Sequence, residues 1–128
     1  MLKEDLGSII IIFSPLSTDS LAHLLDYPPS YISETLADMH TIFNIPGQTN
    51  RPIRPHHPTF RDFLLDKDRC KDLDFWVNEK KAHKYIGNNC VQLMSKMLKR
   101  NICGLPSPGT LVKDADPNLI EQRIPPEL

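Results

Sequence analysis

Two adjacent histidines, His56 and His57, stand between Pro55 and Pro58 in the stretch RPIRPHHPTFRDFLLD, Arg51 to Asp66. An imidazole can donate to a phosphate oxygen, shuttle a proton or hold a metal, and its neighbours decide among these. A metal would need further ligands close by. His23, His40 and His83 are instead scattered through helical patterns, and Cys70, Cys90 and Cys103 lack CxxC or Cys/His spacing. No metal site is expected, and the cysteines read as reduced thiols. Ser, His and Asp all occur, but no nucleophile elbow accompanies them, so no catalytic residue is assigned. The chain also has no GxxxxGK[ST] loop and no acidic pair after a hydrophobic strand to hold Mg²⁺. Taken alone it is expected to be no enzyme and to carry no cofactor.

A phosphate contact is the chemistry that remains for His56. Pro58 suits the first position of a helix, where its missing N–H is harmless, and that helix would turn its positive end toward the same place. One histidine and one helix end supplement a phosphate site; they do not make one. The plainer role for the pair is to end a strand and lead into a helix cap.

The elements that position them follow from periodicity. Leu2, Leu6, Ile9, Ile10 and Phe13 repeat as one stripe, predicting a first helix over about 2–13, despite β-branched Ile9 to Ile12. Ser14-Pro15 breaks it. Ser17 or Thr18 caps a second helix that carries Leu21, Leu24 and Leu25 inward and ends near Asp26. After Pro28-Pro29, Ser30 is the expected cap of a third, with Ile32, Leu36, Met39 and Phe43 on one face. Two extended candidates, about 42–45 and 52–56, flank a Pro-Gly turn and a polar loop, which reads as a hairpin or wing. Pro52 and Pro55 remove ladder donors, so the second strand must be an edge. A helix opening at Pro58 places Phe60, Phe63 and Leu64 on one face, and a polar link follows. A longer helix from about Asn78 carries Ile86, Cys90, Leu93, Met94 and Met97, weakened slightly by Gly87. Beyond Asn101 the pattern loosens until Asp116 caps a short last helix at Pro117, which Pro125-Pro126 stops.

This order predicts a mainly α fold with a small β-hairpin: a winged-helix domain over 1–66, then arm helices over 67–128. The length of 128 residues and hydrophobic share of 40% suit one globular core. The apolar run Ile9 to Phe13 is too short for a signal-peptide core or a membrane span, and a cytoplasmic chain is inferred. A net charge of −1 conceals an asymmetry: −5 over residues 1–50, +6 over 51–100 and −2 over 101–128. Only the middle of the chain could meet an anionic partner.

The segments SPLSTDSLAHLL, RPIRPHHPTFRDFLLDKDRC and FWVNEKKAH resemble the region that follows the NACHT nucleotide-binding domain in fungal signal-transduction ATPases. These are NLR-like proteins of fungal innate immunity, including heterokaryon (vegetative) incompatibility proteins with WD40 repeats. The resemblance runs from about Leu2 to Leu128, and its specific part is the His-His-Pro-Thr-Phe-Arg-Asp-Phe-Leu string after the wing. It implies a winged-helix domain followed by the first helices of a superhelical arm.

In the wider family a Met-His-Asp motif closes the winged-helix strand, and its histidine reaches the β-phosphate of ADP. By resemblance, Pro55-His56-His57 takes that place, with His56 as the phosphate contact and His57 at the acidic position. Two departures are plain: Pro55 replaces an apolar residue, and His57 is not an acid. The implied partner is a NACHT domain, in cis in a longer homologue or in trans, with which ADP or ATP would be shared. The chain is accordingly expected to be a piece of a longer receptor, its arm cut short.

Two rivals are a plain protein-interaction module, in which His56 touches no nucleotide, and a DNA-binding winged helix. The third helix, SYISETLADMHTI, holds Glu34 and Asp38 and no Lys or Arg, which argues against entry into a DNA groove. Trp76, beside Phe75 and Val77, is expected to pack the linker onto the core rather than stack on a base. No specific nucleic-acid partner and no membrane partner is expected, although Arg51 and Arg54 make the wing basic enough for weak nonspecific binding. Because the last helix has no evident apolar partner in the sequence, amide hydrogen exchange across 110–124 should be fast; strong protection there would contradict the expectation.

Overall fold

A computed structural model describes the backbone of residues 2–12 and 15–128 and side chains from residue 7 onward, apart from 13 and 14. Among the described residues the order is α1 (Leu2–Ile11), α2 (Thr18–Leu25), α3 (Pro29–Ala37), β1 (Phe43–Asn44), β2 (Arg54–Pro55), α4 (Thr59–Leu65), α5 (Glu79–Met97) and α6 (Pro117–Arg123). The protein is therefore mainly helical with a small antiparallel sheet of two strands.

Caps set several of these boundaries. Ser17 accepts from the Ser20 N–H at 3.1 Å and starts α2 as expected. Asp26 then leaves the helix in the left-handed region, at φ 58°, and the Tyr27 N–H returns to the Ala22 carbonyl at 3.0 Å. Asn78 opens α5 through the Lys81 N–H at 3.1 Å, and Asp116 opens α6 through the Asn118 N–H at 2.9 Å. Ser30 is not the cap of α3. Pro28 occupies that position and Pro29 the first turn, where a missing N–H leaves nothing unsatisfied. Pro58 likewise stands at the cap of α4, one position before its expected place.

α1 ends two residues early, at Ile11, although the Ile12 N–H still reaches the Ser8 carbonyl at 3.2 Å. Within the expected stripe Ile10 is buried and Ile9 half-buried; the side chains of Leu2 and Leu6, and all of Phe13, lie outside the described residues. Ile11, off that stripe, is also buried; α5 packs against α1, and Arg61 reaches the end of α1 at the Ile10 carbonyl. Gly7 allows the contact with α5: a Cβ there would sit 3.3 Å from Val77 Cγ1 and 3.5 Å from Ala82 Cβ.

One cluster joins Ile10, Leu21, Leu25, Ile32, Leu36, Met39, Phe43, Ile53, Leu64, Cys70 and Val77. Met39 and Phe43 reach it although α3 stops at Ala37, since successive turns keep the chain coiled up to β1. Trp76 is half-buried against the cluster, with Lys67 Nζ 5.5 Å from its ring centre. α5 differs from its sequence reading. Ile86, Cys90 and Leu93 are only half-buried and Met94 and Met97 are exposed, because a helix of 19 residues outruns the 10 of α1.

Phe43 is 1% exposed and meets Phe60 edge-on with ring centres 6.4 Å apart, so it joins β1 to α4. Phe43→Ala should lower unfolding stability by about 3–5 kcal/mol in urea titration. Phe75→Ala, at a half-exposed side chain, should stay within about 0.5 kcal/mol.

Candidate functional site

The strand pair that delivers the histidines is short and poor in donors. Phe43 pairs with Pro55 and Asn44 with Arg54. Pro52 and Pro55 lack N–H groups, so the return strand is anchored elsewhere: Ile53 buries its side chain and donates its N–H to the Leu16 carbonyl at 2.9 Å. Beside it Ser17 and Pro52 form an isolated antiparallel bridge, and the loop is tied down by the Asp19 N–H on the Thr49 carbonyl at 3.2 Å.

His56 comes directly after β2 and is held twice by the turn before β1. Its backbone N–H donates to the Ile42 carbonyl at 2.9 Å, and its ring Nε2 lies 2.9 Å from the His40 carbonyl oxygen. A carbonyl only accepts, so Nε2 carries the hydrogen. Among the described residues Nδ1 of His56 makes no hydrogen bond, and the side chain is exposed. In a neutral ring that atom offers a lone pair; protonation makes it a donor.

His57 points its Nδ1 at Thr59 Oγ1, 3.1 Å away, at the entry to α4. Its carbonyl accepts the Phe60 N–H at 3.1 Å, which occupies one of the amides that an anion at this end would use. α4 has only 7 residues, so its contribution to any anion is small. The structure thus brings His56 and His57 together at one exposed strand-to-helix junction, with the His40 backbone but without His23 or His83. His83 lies on α5, 3.7 Å from Glu79.

Two polar arrangements were not visible in the sequence. Arg61, in the His-His-Pro-Thr-Phe-Arg string, donates from Nε to the Ile10 carbonyl at 2.9 Å, placing a cation at the C-terminal end of α1. The second joins α2 to the end of the chain: His23 Nδ1 lies 2.6 Å from Glu127 Oε1, and the Glu127 side chain is 2% exposed. Glu127, His23, Asn89, Gln92 and Lys96 share a cavity of about 270 Å³ between α2 and α5, and Lys96 Nζ meets Asp26 Oδ2 at 3.0 Å. A separation of 104 residues leaves no local pattern by which a sequence could announce the His23 contact.

No family model, curated protein or solved structure matches the chain. The fold defines an architectural class, six α-helices and a two-strand antiparallel sheet among the described residues. No helix among them is long and apolar enough to cross a membrane.

The His56 tether can be separated from any ligand role. His56→Ala removes a donor to an exposed carbonyl and should cost about 0.5–1.5 kcal/mol of stability. His56→Gln, whose amide can still donate to the His40 carbonyl, should recover most of that loss in the same chemical denaturation series.

Proposed function

We propose that this chain is a non-catalytic regulatory segment of an NLR-like NACHT ATPase. It packs on a nucleotide-binding domain, and His56 meets the phosphate of ADP and favours the closed, resting form. The particular assignment is a winged helix over 1–66 leading into helices of a superhelical arm over 67–128. The observation that carries it is the position of His56: exposed, immediately after the return strand, and fixed through Nε2 while Nδ1 makes no hydrogen bond among the described residues. The order helix, bridge, helix, helix, strand, strand supports the winged-helix reading, with the Ser17–Pro52 bridge as the third, minimal strand contact. The sequence motif around His56 and His57 supports the family.

A second reading is favoured by a specific observation. The ring N–H of His56 is already committed to His40, and the Phe60 amide to His57, so the junction is satisfied without a ligand. A protein-interaction module with the same fold and no nucleotide contact fits that satisfaction. A DNA-binding winged helix fits less well, since Glu34 on α3 and Asp38 at its end are both exposed.

Titration with ADP by calorimetry distinguishes them, first on the chain alone and then on the chain mixed with the NACHT domain of a related receptor. The regulatory reading expects affinity that appears or tightens only in the mixture and falls about tenfold in His56→Ala, equivalent to about 1.4 kcal/mol. His56→Gln serves as the control for the tether. Equal affinity with and without the chain, while the chain remains folded, would leave the interaction module standing.

A further inference from the structure

Glutamate is almost never fully buried unless it is paired. Glu127 is nevertheless buried at its side chain, in a segment, 124–128, that follows a helix with no buried residue of its own. It enters the cavity of about 270 Å³ between α2 and α5, while Ile124 and Pro126 before it stay exposed. None of residues 117–128 joins the apolar cluster of the core. The segment therefore sends a carboxylate inward where an apolar side chain would be expected.

The wall that receives this carboxylate is rich in donors. His23 Nδ1 lies 2.6 Å from Glu127 Oε1, and since a carboxylate oxygen only accepts, Nδ1 carries the hydrogen. Lys96 lines the same cavity, and so does Asn89, whose Nδ2 is buried with no hydrogen-bond partner among the described residues. The other acid of the wall, Asp26, is tied to Lys96 at 3.0 Å. Glu127 makes one side-chain hydrogen bond among the described residues, the one to His23. One carboxylate oxygen and one buried amide donor are thus left unused in the same cavity, and an unpaired buried donor costs stability. Glu127 occupies this donor set without exhausting it.

We infer that the cavity between α2 and α5 is a carboxylate-recognition site, filled by Glu127 as an intramolecular ligand, and that a carboxylate on another molecule displaces residues 124–128 from it. His23 supplies the principal donor, Asn89 the unused one and Lys96 a positive field. The His23 side chain is 66% exposed, so the site opens to solvent without unfolding α2 or α5. A cationic ligand would find both acids of the wall already paired, and an apolar one would leave Asn89 unsatisfied. Neither His56 nor His57 takes part, so the site is independent of the nucleotide reading.

The test follows the full chain and its Glu127→Ala and Glu127→Lys variants by calorimetry with the acetylated and amidated peptide Ile-Pro-Pro-Glu-Leu, whose glutamate is its single carboxylate. The native chain presents its own glutamate at high effective concentration, so the peptide should bind either variant at least about tenfold more tightly than it binds the native chain. Glutamine in place of the peptide's glutamate should weaken binding to the variants by about tenfold or more. Adding His23→Ala to Glu127→Ala should remove binding while the helical circular dichroism of the chain is kept. Sodium glutarate, compared with sodium chloride at equal ionic strength, separates the sources: displacement of the peptide marks a free small acid as sufficient, and retention marks a peptide segment as the ligand. The inference is overturned if the peptide binds neither folded variant, if it binds the native chain as tightly as the variants, or if the glutamine peptide binds as tightly as the glutamate one. Unfolding of both variants would equally overturn it, since a displaceable segment cannot be one on which the fold depends.

Discussion

The N–H of Ile53, donated to the Leu16 carbonyl, anchors the return strand of the sheet. Between Pro52 and Pro55 the backbone has only the amides of Ile53 and Arg54, so the ladder with β1 is short and poor in donors. Ile53 donates to Leu16, ahead of α2, and its side chain enters the core beside Phe43 and Leu64. This fixes which residues of the return strand face outward. In a strand a slip of one residue turns every side chain over. With Ile53 inward, Arg54 pairs opposite Asn44, Pro55 closes the strand opposite Phe43, and His56 meets the turn before β1.

The same register gives His56 its chemistry. Its main chain is held by Ile42 and its ring by His40, so the imidazole is oriented by the segment that joins α3 to β1. A ring that donates through Nε2 to a carbonyl presents Nδ1 outward with a lone pair. A phosphate contact through the ring N–H would require that N–H to leave the His40 carbonyl. Such an exchange would couple the junction to the turn after α3. Motion of α3 relative to the hairpin would thus be felt at the histidine without any change in the histidine's own strand.

Local chemistry made much of the fold legible, and long-range chemistry hid the rest. Ser17, Asn78 and Asp116 cap helices because their side chains reach amides two or three residues away, a pattern written within one turn of chain. The stripe of Ile32, Leu36, Met39 and Phe43 was readable for the same reason, even though the helix stops before its last two members. Ser30 failed as a cap because the prolines before it already provide a start that leaves no amide unsatisfied. Of the candidate site, the strand-to-helix junction at His56 and His57 was legible from Pro55 and Pro58. The His40 acceptor was not, because a carbonyl belongs to every residue type. Nor were the Arg61–Ile10 and His23–Glu127 contacts, whose partners meet only after α4 and the last residues fold back.

Charge shows how fold and surface divide the sequence between them. The acidic first part and basic middle part do not form opposed poles, because α5 lies across α1 and α2 and brings Lys96 to Asp26. That pair is exposed on both sides, and such pairs contribute at most about 1 kcal/mol. Packing, through Gly7, Val77 and Ala82, therefore holds α5 down, and attraction between the halves adds little. Among the described residues Lys80, Lys81 and Lys84 on α5, and Lys99 and Arg100 beyond its end, are exposed and make no ion pair. A long helix gripped along only part of one side leaves an ordered, charged edge beyond its support. α1 and α2 together grip one side of it, so the helix is anchored without help from those cations.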